Sequence, residues 1–429
     1  EPRHFEDVAL VARDIAPEEP AALEVQREII QSMIRQRFWD YGYAILPYGP
    51  SDPPRVLDDV WPGFAHQTHQ PRLYYALAGL ALQASGVRDL LGQLYLVRGL
   101  SALLGAGVAL LAWAAAGVLF PAQPGIPRGV GLLVALLPMH AFINATANND
   151  NLASFFVALE LLAGSWLLRY GFRWPAAGLA LAAGALGLAA KRTGFIAPAI
   201  LLIVALALLW RRSQDRPGRP ARRFLAWAAG LGAAARLVGA LLAWLAPELV
   251  ARAWEVFHLP PDVLQLLSEG SYAEALVQTP YPYYTRMVFE SFWARFGWLN
   301  VRLPDAWYWL LGGACLLAGA GLLRLVFAGR AGLRPYQFHT LIVYICVALV
   351  AWILILGKEI LFLSYRFGVV PQGRYLFPVI IPLATLLVIG WRQVTPARLR
   401  RPAGWAATGA GLAFAAICLI GYVVPFYAS

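Results

Sequence analysis

Lysine is almost missing from this chain of 429 residues, with Lys191 and Lys358 the only two. The positive charge is therefore nearly all arginine, a bias that fits a GC-rich bacterial genome. Cysteine is as scarce. Cys315, Cys346 and Cys418 fall in apolar stretches without pairing or metal-ligand spacing, which argues against a disulfide framework or a zinc site. No repeat with a regular period appears, and no low-complexity tract goes beyond the Ala/Leu bias of the apolar segments. Charged residues make up only 14% of the chain, too few for an ordinary soluble surface.

What fills the space is hydrocarbon. Hydrophobic residues make up 59% of the sequence and the mean hydropathy is +0.58. A net charge of +11 could serve nucleic acid, but its distribution argues against that partner. Of the 35 Lys and Arg, 16 sit in five short links between apolar runs, at Arg128, Arg169/Arg173, Arg211–Arg223, Arg324–Arg334 and Arg392–Arg401, and those links hold one acid. Two long polar stretches carry the reverse balance, 13 acids to 8 bases over residues 1–91 and 7 to 4 over 247–305. Basic links stay in the cytoplasm. The expectation is a polytopic protein of a bacterial inner membrane with its working surface outside and its C-terminus outside.

A spanning helix needs about 20 apolar residues. Ten stretches qualify, at about 92–120, 127–144, 151–170, 174–190, 194–210, 224–246, 306–328, 338–357, 374–393 and 403–424. The alternation closes only if residues 72–84 do not cross; that segment is expected to lie at the interface. A further helix ahead of Glu1, with an internal N-terminus, is expected because residues 1–91 must be carried across. The chain divides into a first external loop with juxtamembrane helices (1–91), membrane helices (92–246), a second external loop (247–305) and C-terminal membrane helices (306–429).

Polar groups at the outer boundary are costly and mark candidate function. Lys191 and Arg192 run against the positive-inside trend; they either snorkel to headgroups or hold the phosphate of a lipid-linked substrate. Asp150, in the turn NATANNDN at 144–151, either caps a helix or points into an external cavity. Gln372 and Arg374 open a helix in PQGRYLFP, where Arg374 could pair with an acid, a phosphate or a sugar hydroxyl. Glu1, His4 and Asp7 are either a solvated turn or the source of a general base. His69 precedes the Tyr74–Tyr75 pair, and its spacing from His66 is weak ground for a metal. Within the bilayer Glu160 is expected to pair with an Arg, Arg98 and Arg236 being the charges at hand.

Taken in order, EPRHF, HQPRLYYAL, LVRGLSALLGAG, NNDNLA, KRTGF, SFWARFGW and QGRYLFP resemble the GT-C class of membrane glycosyltransferases, an uncharacterised bacterial branch related to the protein O-mannosyltransferase and aminoarabinose transferase types. The resemblance implies an all-α bundle of about eleven transmembrane helices. It also implies a sugar donor on a polyprenyl phosphate, an acceptor approaching from outside, and an inverting displacement. Glu1, with His4 and Asp7 beside it, would belong to the catalytic first loop, whose motif places an Asp before Glu1. Lys191, Arg192 and Arg374 would meet the lipid phosphate, with Asp150, Gln372, His69, Tyr74 and Tyr75 lining the substrate. No obligatory cofactor is expected; a pyrophosphate donor would add a divalent cation. Membrane lipids and further membrane subunits are the expected partners, with no nucleic acid. A lipid or polysaccharide transporter, or a catalytically inactive subunit, is the competing expectation, against which stands the lack of matching Gly/Pro-broken helices in two halves.

Overall fold

In the computed structural model the described residues are 71–191, 194, 196–214, 277, 279–297, 299–327, 333–355 and 371–428. They form an all-α bundle with a single two-stranded ribbon. Seven helices are long and apolar enough to cross a membrane, and a bent pair makes an eighth. The expected span at 224–246 lies outside the described residues.

Helix α1 (Leu73–Ser85) has 13 residues, too few to span. It buries Tyr74, Ala78 and Leu82 at helical spacing and turns out at Gly86, whose φ of 68° suits glycine. Helix α2 (Leu90–Leu119) is capped by Asp89. The expected single span at 127–144 is instead broken into α3 (Gly125–Leu136) and α4 (Pro138–Asn144), bent by 59°. Leu137 is extended at ψ 111°, the conformation a following proline favours. Then come α5 (Asn149–Tyr170), α6 (Trp174–Ala190), α7 (Ile196–Gln214) and α8 (Tyr281–Trp293). Strands β1 (Arg295–Phe296) and β2 (Val301–Arg302) pair antiparallel. Helices α9 (Asp305–Phe327) and α10 (Pro335–Leu354) follow. A 3₁₀ helix (Gly373–Val379) leads into α11 (Ile380–Val394), and α12 (Arg400–Ala416) ends the bundle through a π-helical stretch and a last turn to Ala428.

Hydrogen bonds fix which helix ends share a face. Arg169 donates to the carbonyl of Val118, Arg211 to Leu168, Gln337 to Leu119 and Arg324 to Gln393. The arginine-rich links thus gather at one end of the bundle. At the other end Phe142 meets Phe296 edge-on, with ring centroids 5.4 Å apart, and Gly297 lies beside the hydroxyl of Tyr427. Helix α5 and the segment Gly373–Val394 are the innermost spans, whereas α12 is almost wholly exposed and turns its apolar side outward, as a lipid-facing helix does.

Packing relies on glycine where backbones meet. A Cβ on Gly321 of α9 would fall on the carbonyl of Gly390 of α11, and one on Gly390 would fall on Ala318. In lipid, where the hydrophobic effect does not drive helices together, such close approach supplies the dispersion energy. Gly321→Ala is therefore expected to destabilise the bundle by roughly 1–3 kcal/mol. Gly313→Ala, which meets nothing within 4 Å, is expected to be neutral. Thermal unfolding in detergent separates the two.

Candidate functional site

The turn between α4 and α5 is held together by its own asparagines. Asn148 caps α5, its side-chain oxygen accepting from the Asp150 N–H at 2.9 Å. Asn151 donates to the carbonyls of Ile143 and Thr146, and Asn144 donates to His140. Asn148 is thus the cap, and Asp150 does not have to be. Its carboxylate turns instead to Lys191, the residue that ends α6, at 2.7 Å. The two side chains are only 12% and 18% exposed. In so little water the attraction is much stronger than at a surface, and the positive end of α5 favours the carboxylate further.

Helix α1 walls this pair. The Tyr74 hydroxyl shares a 2.8 Å hydrogen bond with Ser101 of α2 and reaches the backbone of Asn148. Burial, and after it the neighbouring Asp150 carboxylate, push the Tyr75 hydroxyl above its ordinary range. Four of the expected residues, Tyr74, Tyr75, Asp150 and Lys191, therefore form one cluster.

Gln372 and Arg374 come in on the 3₁₀ helix, which packs on α4, α5 and α8. Its position is fixed by a glycine. The Gly373 N–H donates to Ser291 at 2.7 Å, and any Cβ there would strike the backbone of Val288 and Phe292. Phe377, one 3₁₀ turn beyond Arg374, packs edge-on against His140 at 5.4 Å. The Arg374 guanidinium lies 5.7 Å from the Tyr375 ring, and its buried Nε has no hydrogen-bond partner among the described residues. The acid considered for it is not found among those residues.

Residues Glu1, His4, Asp7, His69 and Arg192 lie outside the described residues. Arg98 is not the partner expected for Glu160. It donates to the carbonyl of Ala145 at 2.7 Å, which holds it near the start of α2, beside the turn between α4 and α5. Glu160 is fully buried, with neither oxygen hydrogen-bonded among the described residues. It faces the small Gly184 and Ala197; Arg236 lies outside the described residues.

The most connected charge was not foreseen. Glu290 of α8 is 1% exposed and receives Arg286, Arg295 and Arg302 at 2.7–2.9 Å. Arg286 and Arg302 also reach Asp305. Burial alone would push the Glu290 carboxyl up, but Arg302, Arg286 and Arg295 outweigh it and hold it at about 2. This knot ties α8 to the ribbon and to α9, and α8 supplies Ser291, which seats Gly373 beside Arg374. The sequence signal was the set of arginines at 286, 295 and 302, counted only within the acidic balance of the second external loop.

The profile of a family described as a predicted membrane protein, DUF2142, matches residues 58–384. The chain belongs to the DUF2142 family. No curated protein and no solved structure matches it. The DUF2142 match takes in Tyr74, Tyr75, Asp150, Lys191, Glu290, Gln372 and Arg374, the residues that build this end of the bundle.

Because Glu290 is held at about 2 in the fold against 4.5 for the free side chain, its stabilisation is complete above about pH 4.5. It is lost as the pH falls from there through about 2. Glu290→Gln is expected to cost on the order of 3 kcal/mol near neutrality and to flatten the acid limb. Unfolding midpoints of the detergent-solubilised protein measured against pH test this.

Proposed function

We propose that this DUF2142 protein is a GT-C-like glycosyltransferase that moves a sugar from a polyprenyl-phosphate donor to an acceptor at the extracytoplasmic face of a bacterial inner membrane. The observation that supports this most is the Asp150–Lys191 pair walled by Tyr74 and Tyr75. It is a cation held at the bundle end opposite the arginine links, beside a helix too short to span. The charge asymmetry of the links assigns that end to the exterior.

In this reading the acceptor hydroxyl oxygen attacks the anomeric carbon and the bond from that carbon to the phosphate oxygen breaks with inversion. The hydroxyl proton passes to a general base of the first loop, with Glu1, His4 and Asp7 as the candidates. The phosphate leaves with the bonding electrons. Lys191, Arg192 and Arg374 stabilise the charge that develops on it. An ammonium carries three N–H donors, so Lys191 can keep Asp150 and still donate to a phosphate; Asp150 sets its position. Gln372 and His69 are assigned to sugar hydroxyls, and Tyr74 and Tyr75 to the side on which the lipid arrives. No step is routed through a metal; a pyrophosphate donor would call for a divalent cation, with Asp150 the nearest candidate ligand.

A transport reading draws on two other observations, the span broken at Leu137–Pro138 and the buried Glu160, which has no hydrogen-bond partner among the described residues, features that transporters use. The two readings part experimentally. With purified full-length protein, radiolabelled sugar passes from a polyprenyl-phosphate donor to an acceptor if the enzyme reading holds, and counterflow in proteoliposomes appears if the transport reading holds. Lys191→Ala and Arg374→Ala are each expected to lower transfer by about 100-fold or more; the unfolding midpoint should change little in Arg374→Ala and fall in Lys191→Ala, which leaves the Asp150 carboxylate unpaired. Wild-type rates in both variants would remove the phosphate cradle.

A further inference from the structure

We infer that Arg98 is a phosphate-binding residue of this site, presenting a guanidinium fork to the phosphate of a lipid-linked ligand. The inference rests on the reading above. Arg98 stands near the start of α2, at the end of the bundle that holds Asp150. Its Nε donates to the carbonyl of Ala145 at 2.7 Å, and Ala145 belongs to the turn that carries Asn148 and Asp150. Ser101, three residues further along α2, holds Tyr74, which in turn reaches Asn148. Arg98 and the Asp150–Lys191 pair therefore flank one short turn.

The guanidinium lies 5.4 Å from the Tyr95 ring, so its plane is set by a carbonyl on one edge and an aromatic ring on its face. The two terminal nitrogens meet no carboxylate among the described residues, whereas Lys191 is balanced by Asp150. An arginine anchored through Nε in this way offers its remaining N–H groups as a planar, bidentate donor, the arrangement that fits phosphate better than an ammonium does. An uncompensated guanidinium at a membrane boundary is costly, and a phosphate there removes the cost. The same two helices expose Leu77, Leu80, Leu91 and Tyr95, an apolar surface suited to a hydrocarbon tail. A polyprenyl phosphate satisfies both halves, whereas a free phosphate satisfies only one.

The probe is farnesyl phosphate, titrated into the full-length protein in detergent, with farnesol and inorganic phosphate as references. Arg98→Gln is expected to weaken farnesyl phosphate by about tenfold or more and to leave farnesol unchanged. Arg98→Lys should recover only part, since it keeps the charge and loses the fork. Arg401→Gln, at the far end of the bundle, should bind as wild type. In wild-type protein, farnesyl phosphate should also shield Arg98 from phenylglyoxal, read by peptide mass spectrometry, a measurement that does not depend on a variant folding. Unchanged affinity in Arg98→Gln, or no shielding, while Lys191→Ala still weakens binding, overturns the role of Arg98 and leaves the proposed function standing. If neither substitution alters phosphate-dependent binding, both fall. Equal shielding by phosphatidylglycerol would assign the fork to surrounding lipid, and equal shielding by inorganic phosphate to a soluble anion; either result overturns the assignment.

Discussion

The ion pair between Asp150 and Lys191 organises one end of this bundle. It joins the first turn of α5 to the last residue of α6, so the hairpin of these two helices is closed at its open end by opposite charges 2.7 Å apart. Neither charge could stand there alone, because so little water reaches them. Around the pair the turn residues are locked by their own side chains, and α1 is pinned across the gap by Tyr74. What results is a cation held firmly at a boundary where cations are otherwise expensive.

A second knot of charge keeps the opposite wall in place. Glu290 draws three arginines from α8 and the ribbon into one cluster, and α8 then seats the 3₁₀ helix through Ser291 and Gly373. The chain of cause runs from a buried carboxylate to a ribbon, to a helix, to a glycine that tolerates no side chain, and so to Arg374. The cations at this end also differ in electrostatic state. Lys191 is neutralised by its partner, while Arg98 and Arg374 lack a carboxylate among the described residues.

Deeper in the bundle the forces change character. Helices α9 and α11 touch backbone to backbone at Gly321 and Gly390, a contact that only the absence of Cβ allows. Ser165 and Tyr344 share a hydrogen bond 2.8 Å long between α5 and α10. Glu160 stands apart from this economy of paired groups, since it is buried with no hydrogen bond among the described residues.

Much of the architecture was legible because the bilayer imposes its own periodicity. Runs of about 20 apolar residues, arginine-rich links and a 13-residue segment too short to cross are one-dimensional signals, and each spanning expectation within the described residues falls on helix, although that at 174–190 is a shorter apolar helix and that at 127–144 is bent. The interruption at Leu137–Pro138 and the 3₁₀ start at Gly373 escaped notice, because hydropathy averages over a single proline or glycine. For the site, residue type and boundary position were enough to single out Tyr74, Tyr75, Asp150 and Lys191. They were not enough to pair Asp150 with Lys191, to free Asp150 from capping by giving that task to Asn148, or to send Arg98 to Ala145 instead of Glu160. The capping choice is a matter of local backbone geometry two residues apart; the other two depend on distances between segments that lie 40 or more residues apart in the chain. Sequence alone determined that the protein lives in a membrane and where its polar groups are exceptional, since both follow from local transfer energies. Only the tertiary structure decided which of those groups meet, because a charge in low dielectric takes whichever partner the packing of helices brings within reach.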